Sequence, residues 1–300
     1  MATNDIIKGI EDVLGSTDGR NRMLRMIRCA AVDARSLRSR FSSEMYIDAA
    51  TVLLVTAGEM RIEVNRRMLD VGAGRVVVLF ASHLFRAVSC SDDFSGLCLM
   101  VGEEFMNEMD SVDMIYRRIR YGVKLYDKPV VTLPADGAAL VTDRLLELRQ
   151  AIDNTAHLYY RDVVLNRLFA FYLDLSDIID RSEASADRSE HTARYESIVK
   201  RFIELLTSHY RSEHTVGFYA SQLNISAHYL TLIVKEVTGR SVSDFIFGML
   251  YGDARALLAE SRMSVQEITA LLNFSDQSAF GKFFKRRSGL SPLEYRKKRH

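Results

Sequence analysis

Three hundred residues exceed what one hydrophobic core usually serves, so two domains are expected. Hydrophobic residues at 48% and charged residues at 26% fit a folded, water-soluble chain and exclude a disordered or fibrous one. No apolar run nears the roughly 20 residues of a membrane-spanning helix, and residues 1–8 lack the apolar stretch of a secretion signal, so a cytoplasmic protein with no membrane partner is expected.

The net charge of +1 hides an uneven distribution. From Arg194 onward there are 16 Lys/Arg against 10 Asp/Glu, whereas the preceding part carries 24 against 29. An acidic front joined to a basic back suggests that the back faces phosphate. Cys29, Cys90 and Cys98 have no metal-ligand spacing and read as reduced, buried thiols.

In chain order, Ile6, Ile7, Ile10, Val13 and Leu14 repeat at helical spacing over residues 5–14, and Gly15 ends the pattern. Residues 21–31 read as a second short helix with Arg22, Arg25 and Arg28 along one side. From about Ser36 the period changes to two. Segments 51–56, 60–64, 68–71, 75–80, 86–90 and 96–101 are rich in β-branched residues. Gly58, Asn65-Arg66-Arg67 and Gly72-Ala73-Gly74 mark turns between them. Many short strands with regular turns predict a small β-barrel or sandwich over about 36–133, with a short helix at 103–110 and a last strand at 130–133.

Pro134 opens a helical region. Leu140, Val141, Leu145, Leu148 and Ile152 define one helix, and Val164, Leu165, Leu168, Phe171, Tyr172 and Leu175 a second over 160–179. Two such helices either form a dimer face or cover the barrel; both readings stand at this point. Residues 181–192 hold almost no apolar side chain and read as a linker. The expected organisation is therefore α+β. Residues 1–180 form a sensor or dimerisation domain, 181–193 a linker, and 194–300 an all-α domain.

The last segment repeats one pattern twice. Residues 216–223 read as a helix that stops at Asn224; Ile225 is apolar, and Ser226 is an N-cap for a helix closed by Gly239. After a long helix over 242–258, roughly 26 Å at 1.5 Å per residue, the pattern recurs. Ser264 and Glu267 form a capping box, Asn273 sits at the turn, Phe274 plugs it, and Ser275 or Asp276 caps a helix from Gln277 to Arg287. Ser291-Pro292-Leu293-Glu294 starts a final helix. Helix–turn–helix units at about 216–238 and 264–288 are the supersecondary element that presents its second helix to the DNA major groove. A connecting helix of that length holds two such units about one DNA turn apart, roughly 34 Å.

Residues 268–296 (IxxLLNFSDQSAFGKFFKRRSGLSPLEYR, with Ala279) closely resemble the second helix-turn-helix signature of AraC/XylS-family transcription regulators. The resemblance runs through Phe274, Phe280, Phe284, Lys285, Gly289, Pro292 and Tyr295. The first unit resembles the family more loosely through Ala220, Leu223, Ser226, Tyr229, Leu230, Lys235, Thr238 and Gly239. The front resembles the family's cupin-like sensor domain in architecture and order. Leu232 stands where a basic or polar residue is common, Val234 where phenylalanine is usual, Thr269 in place of a small alanine and Asn273 in place of a glycine.

Phe280, Phe283 and Phe284 share a core-facing stripe, which leaves Gln277, Ser278, Gly281, Lys282 and Lys285 toward DNA. Gln277 and Lys282 are the candidates for reading adenine and guanine edges. Lys285, Arg286 and Arg287 are candidates for phosphates. Gly281 either lets the helix approach the duplex or packs tightly inside the domain. On the first recognition helix, His228, Thr231 and Leu232 occupy the matching positions, with Lys235 nearer the backbone; Leu232 suits a thymine methyl. The basic end, 296–300, reads as a frayed tail.

The leading expectation is a sequence-specific DNA-binding transcription regulator. Its partners would be double-stranded DNA, a candidate small-molecule effector, a second copy of the chain and, for an activator, RNA polymerase. Two alternatives stay open: a β-barrel enzyme with a DNA-binding appendage, and a helical protein-interaction module without DNA affinity. His83 is the only histidine before His157, so a three-histidine metal site is not expected in the barrel. His83 reads as a turn or pocket-lining residue. No Gly-rich phosphate loop, nucleophile constellation or dinucleotide fingerprint is present, so no catalytic residue, cofactor or metal is expected.

Overall fold

In a computed structural model of the chain, the described residues are 7–15, 22–106, 125, 128–182, 190–238, 241–260 and 263–299. They divide between two compact units, the first holding the strands and two long helices, the second built from Ala193–Glu236 and Arg240–His300.

In chain order the strands are β1 (Ile7–Lys8), β2 (Ile27–Asp33), β3 (Met45–Ile47), β4 (Ala50–Ala57), β5 (Glu59–Val64), β6 (Arg67–Gly72), β7 (Arg75–Leu79), β8 (Leu84–Cys90), β9 (Ser95–Val101) and β10 (Val130–Thr132). Helix α1 (Ile10–Leu14) follows β1, α2 (Ala34–Arg40) follows β2, and α3 (Glu103–Met106) follows β9. The long helices α4 (Ala135–Asp153) and α5 (Tyr160–Ser182) complete this unit.

The strands pair into two five-stranded sheets, ordered β1-β3-β8-β5-β6 and β10-β7-β4-β9-β2. Pairing is antiparallel except between β1 and β3. The β5–β6 hairpin turns on Asn65 and Arg66, both at positive φ (48° and 65°), as a two-residue hairpin loop requires. The Asn65 side chain accepts from the Leu84 N–H at 3.0 Å and so ties the turn to β8.

The second sheet is buried on both faces. Val52 and Leu54 of β4, Val76 and Val78 of β7, and Leu97, Leu99 and Val101 of β9 belong to one core with α4 and α5. Their neighbours Leu53, Val55, Val77, Leu79, Cys98 and Met100 belong to another, shared with Met60, Ile62, Val64 and Phe85 of the first sheet. Because successive side chains of a strand point to opposite faces, a sheet with cores on both sides needs unbroken apolar runs rather than alternation. That is why 76–80 and 96–101 look continuously apolar. Helices α4 and α5 cover the outer face of this sheet through Val141, Leu145 and Leu148, and Val164, Leu168 and Phe171, all fully buried. Each contributes on the order of 1.5–3 kcal/mol by burial. Across the helix pair, Arg144 bonds Asp174 at 2.6 Å, and Glu147 receives both Arg144 at 3.1 Å and Arg167 at 2.9 Å. These half-exposed pairs set register more than stability.

Three expectations are corrected here. Where a helix is expected over 21–31, the described residues 22–31 are not α-helical. A 3-10 turn over Arg22–Arg25 leads into β2, which pairs with β9 from Ile27↔Val101 to Asp33↔Ser95. Ile27 and Cys29 face the helix-side core and Val32 the other, so period two governs the strand, and Arg25 and Arg28 do not share a helix face. Arg25 instead pairs with Glu11 at 3.6 Å, and the Arg28 guanidinium donates to the Gly15 carbonyl. Secondly, β-structure begins at Ile7 and Ile27 rather than near Ser36, a segment that is helical in α2 because the Asp33 carboxylate caps the Ser36 N–H at 2.8 Å. Thirdly, the linker proposed for 181–193 is helical at both ends, in α5 to Ser182 and from Glu190 onward; 183–189 lie outside the described residues. Of the helix expected at 103–110, Glu103–Met106 is described and 107–110 are not.

The second unit is built from most of α6 (Glu190–His209) and α8 (Ala227–Thr238), with α7 (Val216–Gln222), α9 (Val242–Glu260), α10 (Val265–Leu271), α11 (Gln277–Ser288) and α12 (Pro292–Arg299). Helix α9 supplies its longest apolar stripe, with Val242, Phe245, Ile246, Leu250, Ala254 and Leu258 essentially without exposure. Of the tail expected at 296–300, residues 296–299 continue the last helix and 300 lies outside the described residues; Arg296 donates to the carbonyls of Leu258 (3.3 Å) and Met263 (2.7 Å), capping the end of α9.

Burial separates the three thiols. It pushes Cys29 up to about 12 and Cys98 higher still, while Cys90 is half-exposed. Reaction of the native protein with a chromogenic disulfide reagent should therefore give one fast thiol, at Cys90, and two that appear only in denaturant. Rapid modification of all three would contradict the doubly covered sheet.

Candidate nucleic-acid interface

The two helical repeats turn by the same local device. In the first, Asn224 takes a left-handed conformation (φ 55°), the Asn224 N–H donates to the Ser221 carbonyl at 3.1 Å, and the Ile225 N–H reaches back to Ala220 at 3.1 Å. In the second, Asn273 (φ 52°) does the same, with Asn273 N–H to Ala270 and Phe274 N–H to Thr269, both at 3.1 Å. This is a Schellman-type closure with asparagine in place of glycine, and in the second repeat the apolar residue after it packs onto the helix that follows. Phe274 meets Phe280 at 5.4 Å and Phe283 at 5.0 Å between ring centroids.

Caps then start the second helix of each repeat. Ser226 Oγ accepts from the Tyr229 N–H at 3.1 Å, and Asp276 Oδ1 from the Ala279 N–H at 2.7 Å. Of the two cap candidates in the second repeat, Asp276 makes the bond; Ser275 donates its hydroxyl to the Asp276 carboxylate at 3.3 Å. The second turn is thereby one residue longer, spanning 272–276 where the first spans 223–226. The reciprocal capping box expected at Ser264/Glu267 is formed, at 3.2 and 2.7 Å, as is that at Ser291/Glu294.

One side of each second helix is sunk in the unit. Leu230, Ile233 and Val234 of α8, and Phe280 and Phe284 of α11, have no exposed surface. Phe284 lies 5.5 Å from Tyr251 and 5.2 Å from Tyr295. The aromatic residues of α11 are therefore structural. Val234 and Thr269 are accommodated without them: Val234 is fully buried, and the Thr269 hydroxyl donates to the Val265 carbonyl at 2.7 Å, as a buried hydroxyl must.

The opposite sides form two matching stripes. On α8, His228, Leu232 and Lys235 are exposed and Thr231 is half-exposed; on α11, Ser278, Lys282 and Lys285 are exposed and Gly281 is half-exposed. Both stripes run i, i+3, i+4, i+7, the spacing that puts side chains on one face of a helix. Gln277 and Arg286 flank the second stripe and are also exposed. The two faces differ in chemistry: α8 offers one cation and an aliphatic side chain 49% exposed at Leu232, while α11 offers Lys282, Lys285 and Arg286. Arg287, the third phosphate candidate, is half-buried, with its guanidinium 6.0 Å over the Phe283 ring. A Cβ built at Gly281 meets nothing within 4 Å, so internal packing does not require glycine there.

Sequence reasoning missed Asp253. This carboxylate accepts from the Tyr210 hydroxyl (3.0 Å) and from Arg211 Nε (2.6 Å), joining the residues after α6 to the middle of α9. Its signal was an acid inside an apolar helical stripe. His83, the other candidate site residue, is fully buried in a turn: its Nδ1 accepts from the Phe80 N–H at 3.2 Å, and the two rings lie 5.5 Å apart. Among the described residues no group of three or more His, Cys, Asp or Glu is placed to hold a metal ion, and no helix is long and apolar enough to cross a membrane.

A family model described as a helix-turn-helix domain matches residues 219–298, the span that contains both turns. The C-terminal region is an AraC-type helix-turn-helix domain. The Msm operon regulatory protein of Streptococcus mutans is 33% identical over 37% of this chain and 39% of its own length. An uncharacterized HTH-type transcriptional regulator of Bacillus subtilis, YtdP, is 28% identical over 42% of this chain and 16% of its own length. This chain thus spans well under half of either curated relative. Among solved structures, the C-terminal domain of AraT, a response regulator from Geobacillus stearothermophilus, is 29% identical over 34% of this chain and 85% of that one, with a TM-score of 0.33.

The Asp276 cap carries a pH test. The Ala279 N–H, then the Ser275 hydroxyl and Ser278 N–H, hold this carboxyl below its usual range. A depressed folded value contributes stability above the unfolded value, and the contribution is lost as pH falls through the folded one. Asp276→Ala should lower the melting temperature at neutral pH, and the gap from wild type should close as pH drops below about 4. Thermal melts followed by circular dichroism check this; a gap that does not change with pH would mean that the cap is not ionic.

Proposed function

We propose that this chain is a sequence-specific DNA-binding transcription regulator, in which 194–300 lays α8 and α11 into successive major-groove segments of one duplex. The observation that carries this is the pair of matching polar stripes, each on the second helix of an AraC-type repeat and each backed by a fully buried apolar side. A second helix held in this way is what enters a major groove. Gln277 and Lys282 read base edges. Lys285 and Arg286 bind phosphates on the same helix, and Lys235 does so from α8. His228, Thr231 and Ser278 line the groove-facing side. Leu232 packs on a thymine methyl. Gly281 keeps α11 bare where the duplex comes closest, since no neighbour inside the protein occupies the space of a side chain there.

The N-terminal unit, 1–180, serves as the sensor or dimerisation part. A small-molecule effector, a second copy of the chain and, for an activator, RNA polymerase are its proposed partners, in the cytoplasm. Calorimetric titration of the full chain with candidate metabolites, and its sedimentation with and without DNA, test these roles.

The DNA reading is tested by selecting bound fragments from random duplexes and measuring anisotropy on the winner. Gln277→Ala and Lys282→Ala should each weaken specific binding by about 1–3 kcal/mol and relax base choice locally. Lys285→Ala and Arg286→Ala should weaken all sequences alike and reduce the salt slope by about 1 each. A uniform loss from the first pair would make those residues phosphate anchors instead.

Gly281→Ala separates two effects at one position. With an open Cβ site and alanine's better helix propensity, it should raise stability by about 1 kcal/mol while weakening specific binding. Unchanged affinity would remove the close approach. For Leu232, replacing thymine by uracil through the site contacted by α8 should reduce affinity, because only the methyl group is lost.

A further inference from the structure

The two helix-turn-helix units are joined by two routes, one covalent and one not. The covalent route is α9. The second runs through residues 210–214, the segment that leads from α6 into α7. Here Tyr210 and Arg211 both bind the Asp253 carboxylate of α9. The Ser212 carbonyl accepts from Asn273 Nδ2 at 2.7 Å, across 61 residues of sequence. The His214 ring lies 5.2 Å from Phe274 and 6.4 Å from Phe247. The chain entering the first unit is thus bonded to the connecting helix and to the turn of the second unit.

A single connecting helix leaves the units free to swing about its ends. A second attachment by a different path closes a ring and removes that freedom, because rotation about α9 would have to break the contacts at 210–214. Asn273 is the member of this brace with a choice. Its backbone needs only a residue that tolerates φ 52°, which glycine does at no cost. Only a side-chain amide also reaches Ser212.

We propose that the 210–214 brace, with Asn273 and Asp253 as its polar contacts, fixes the distance and rotation between α8 and α11, and so limits the chain to bipartite DNA sites of one spacing. Asn273 and Asp253 act as positioning residues and touch no base. This rests on the DNA-binding role proposed above for the two helices, but its geometric part does not need DNA.

The test uses the full chain in a Cys90→Ser background, with spin labels introduced by His228→Cys and Ser278→Cys. Electron–electron distance measurement without DNA should give one narrow distribution. Asn273→Gly should broaden it while preserving the melting temperature, because glycine keeps the turn. Asn273→Gly combined with Asp253→Asn should broaden it further. A broad distribution in the parent, or a narrow one in the double variant, overturns the brace whatever the DNA result.

On the selected duplex, unlabelled protein should lose affinity when one base pair is inserted between the half-sites, since each base pair turns the groove by about 34°. Losing register with one half-site costs at least as much as one mismatched pair, about 5- to 150-fold. The double variant should lose several-fold less than the wild type on the inserted site. Equal losses in both proteins, with the distances altered as expected, would overturn the spacing role while leaving the brace. Failure of the wild type to prefer any duplex would instead overturn the DNA-binding role and the spacing role together, with the distances still deciding the brace.

Discussion

A helix can offer polar side chains to a partner in a fixed orientation only if its other side is held. In this protein that hold is the burial of Leu230, Ile233 and Val234 under α8, and of Phe280 and Phe284 under α11. Each side chain that leaves water contributes on the order of 1.5–3 kcal/mol, far more than any single exposed cation could. The left-handed asparagine turns aim the helices, and the caps at Ser226 and Asp276 fix where they start. Remove the apolar anchors and the stripes His228–Thr231–Leu232–Lys235 and Ser278–Gly281–Lys282–Lys285 would have no common direction.

The repetition is one of geometry, not of chemistry. Both turns close with the same pair of backbone bonds, yet the second is longer by the capping Asp276. The buried side of α8 is aliphatic where that of α11 is aromatic, and the outer face of α8 carries Leu232 where that of α11 carries Lys282. Such a pair suits a site whose two halves differ, because hydrogen-bonding and apolar contacts select different bases. Gly281 adds shape to this difference: a half-exposed helical glycine with open space at its Cβ position costs helix stability without relieving any internal contact.

The N-terminal unit follows a different constraint. One sheet is sandwiched between a second sheet and two helices, so the middles of its strands are apolar on both faces, and each residue's core is decided by its parity along the strand. Gly96 shows how tight the arrangement is. A Cβ there would approach the Leu54 carbonyl oxygen to 2.7 Å, so β4 and β9 meet where no side chain can intervene. His83 is spent within a turn of this unit, its Nδ1 engaged by the backbone.

Local patterns determined a good deal from the sequence alone. The capping boxes at Ser264/Glu267 and Ser291/Glu294, the turns at Asn224 and Asn273, and the inward stripe of α11 were legible because each depends on residues within about four positions of one another. The resemblance of 268–296 to the AraC-type signature added the function class for the same reason, as a compact local motif. Residues 21–31 were misread because a short mixed segment fits period 3.6 and period two almost equally. Only pairing with β9, distant in the chain, made Ile27–Asp33 a strand. Tertiary structure likewise decided that Asp253 and Asn273 would receive Tyr210, Arg211 and Ser212, that Arg296 would cap α9 and that Arg287 would turn toward Phe283. Those choices join residues far apart in sequence, and no local pattern encodes which distant group will arrive at a given side chain.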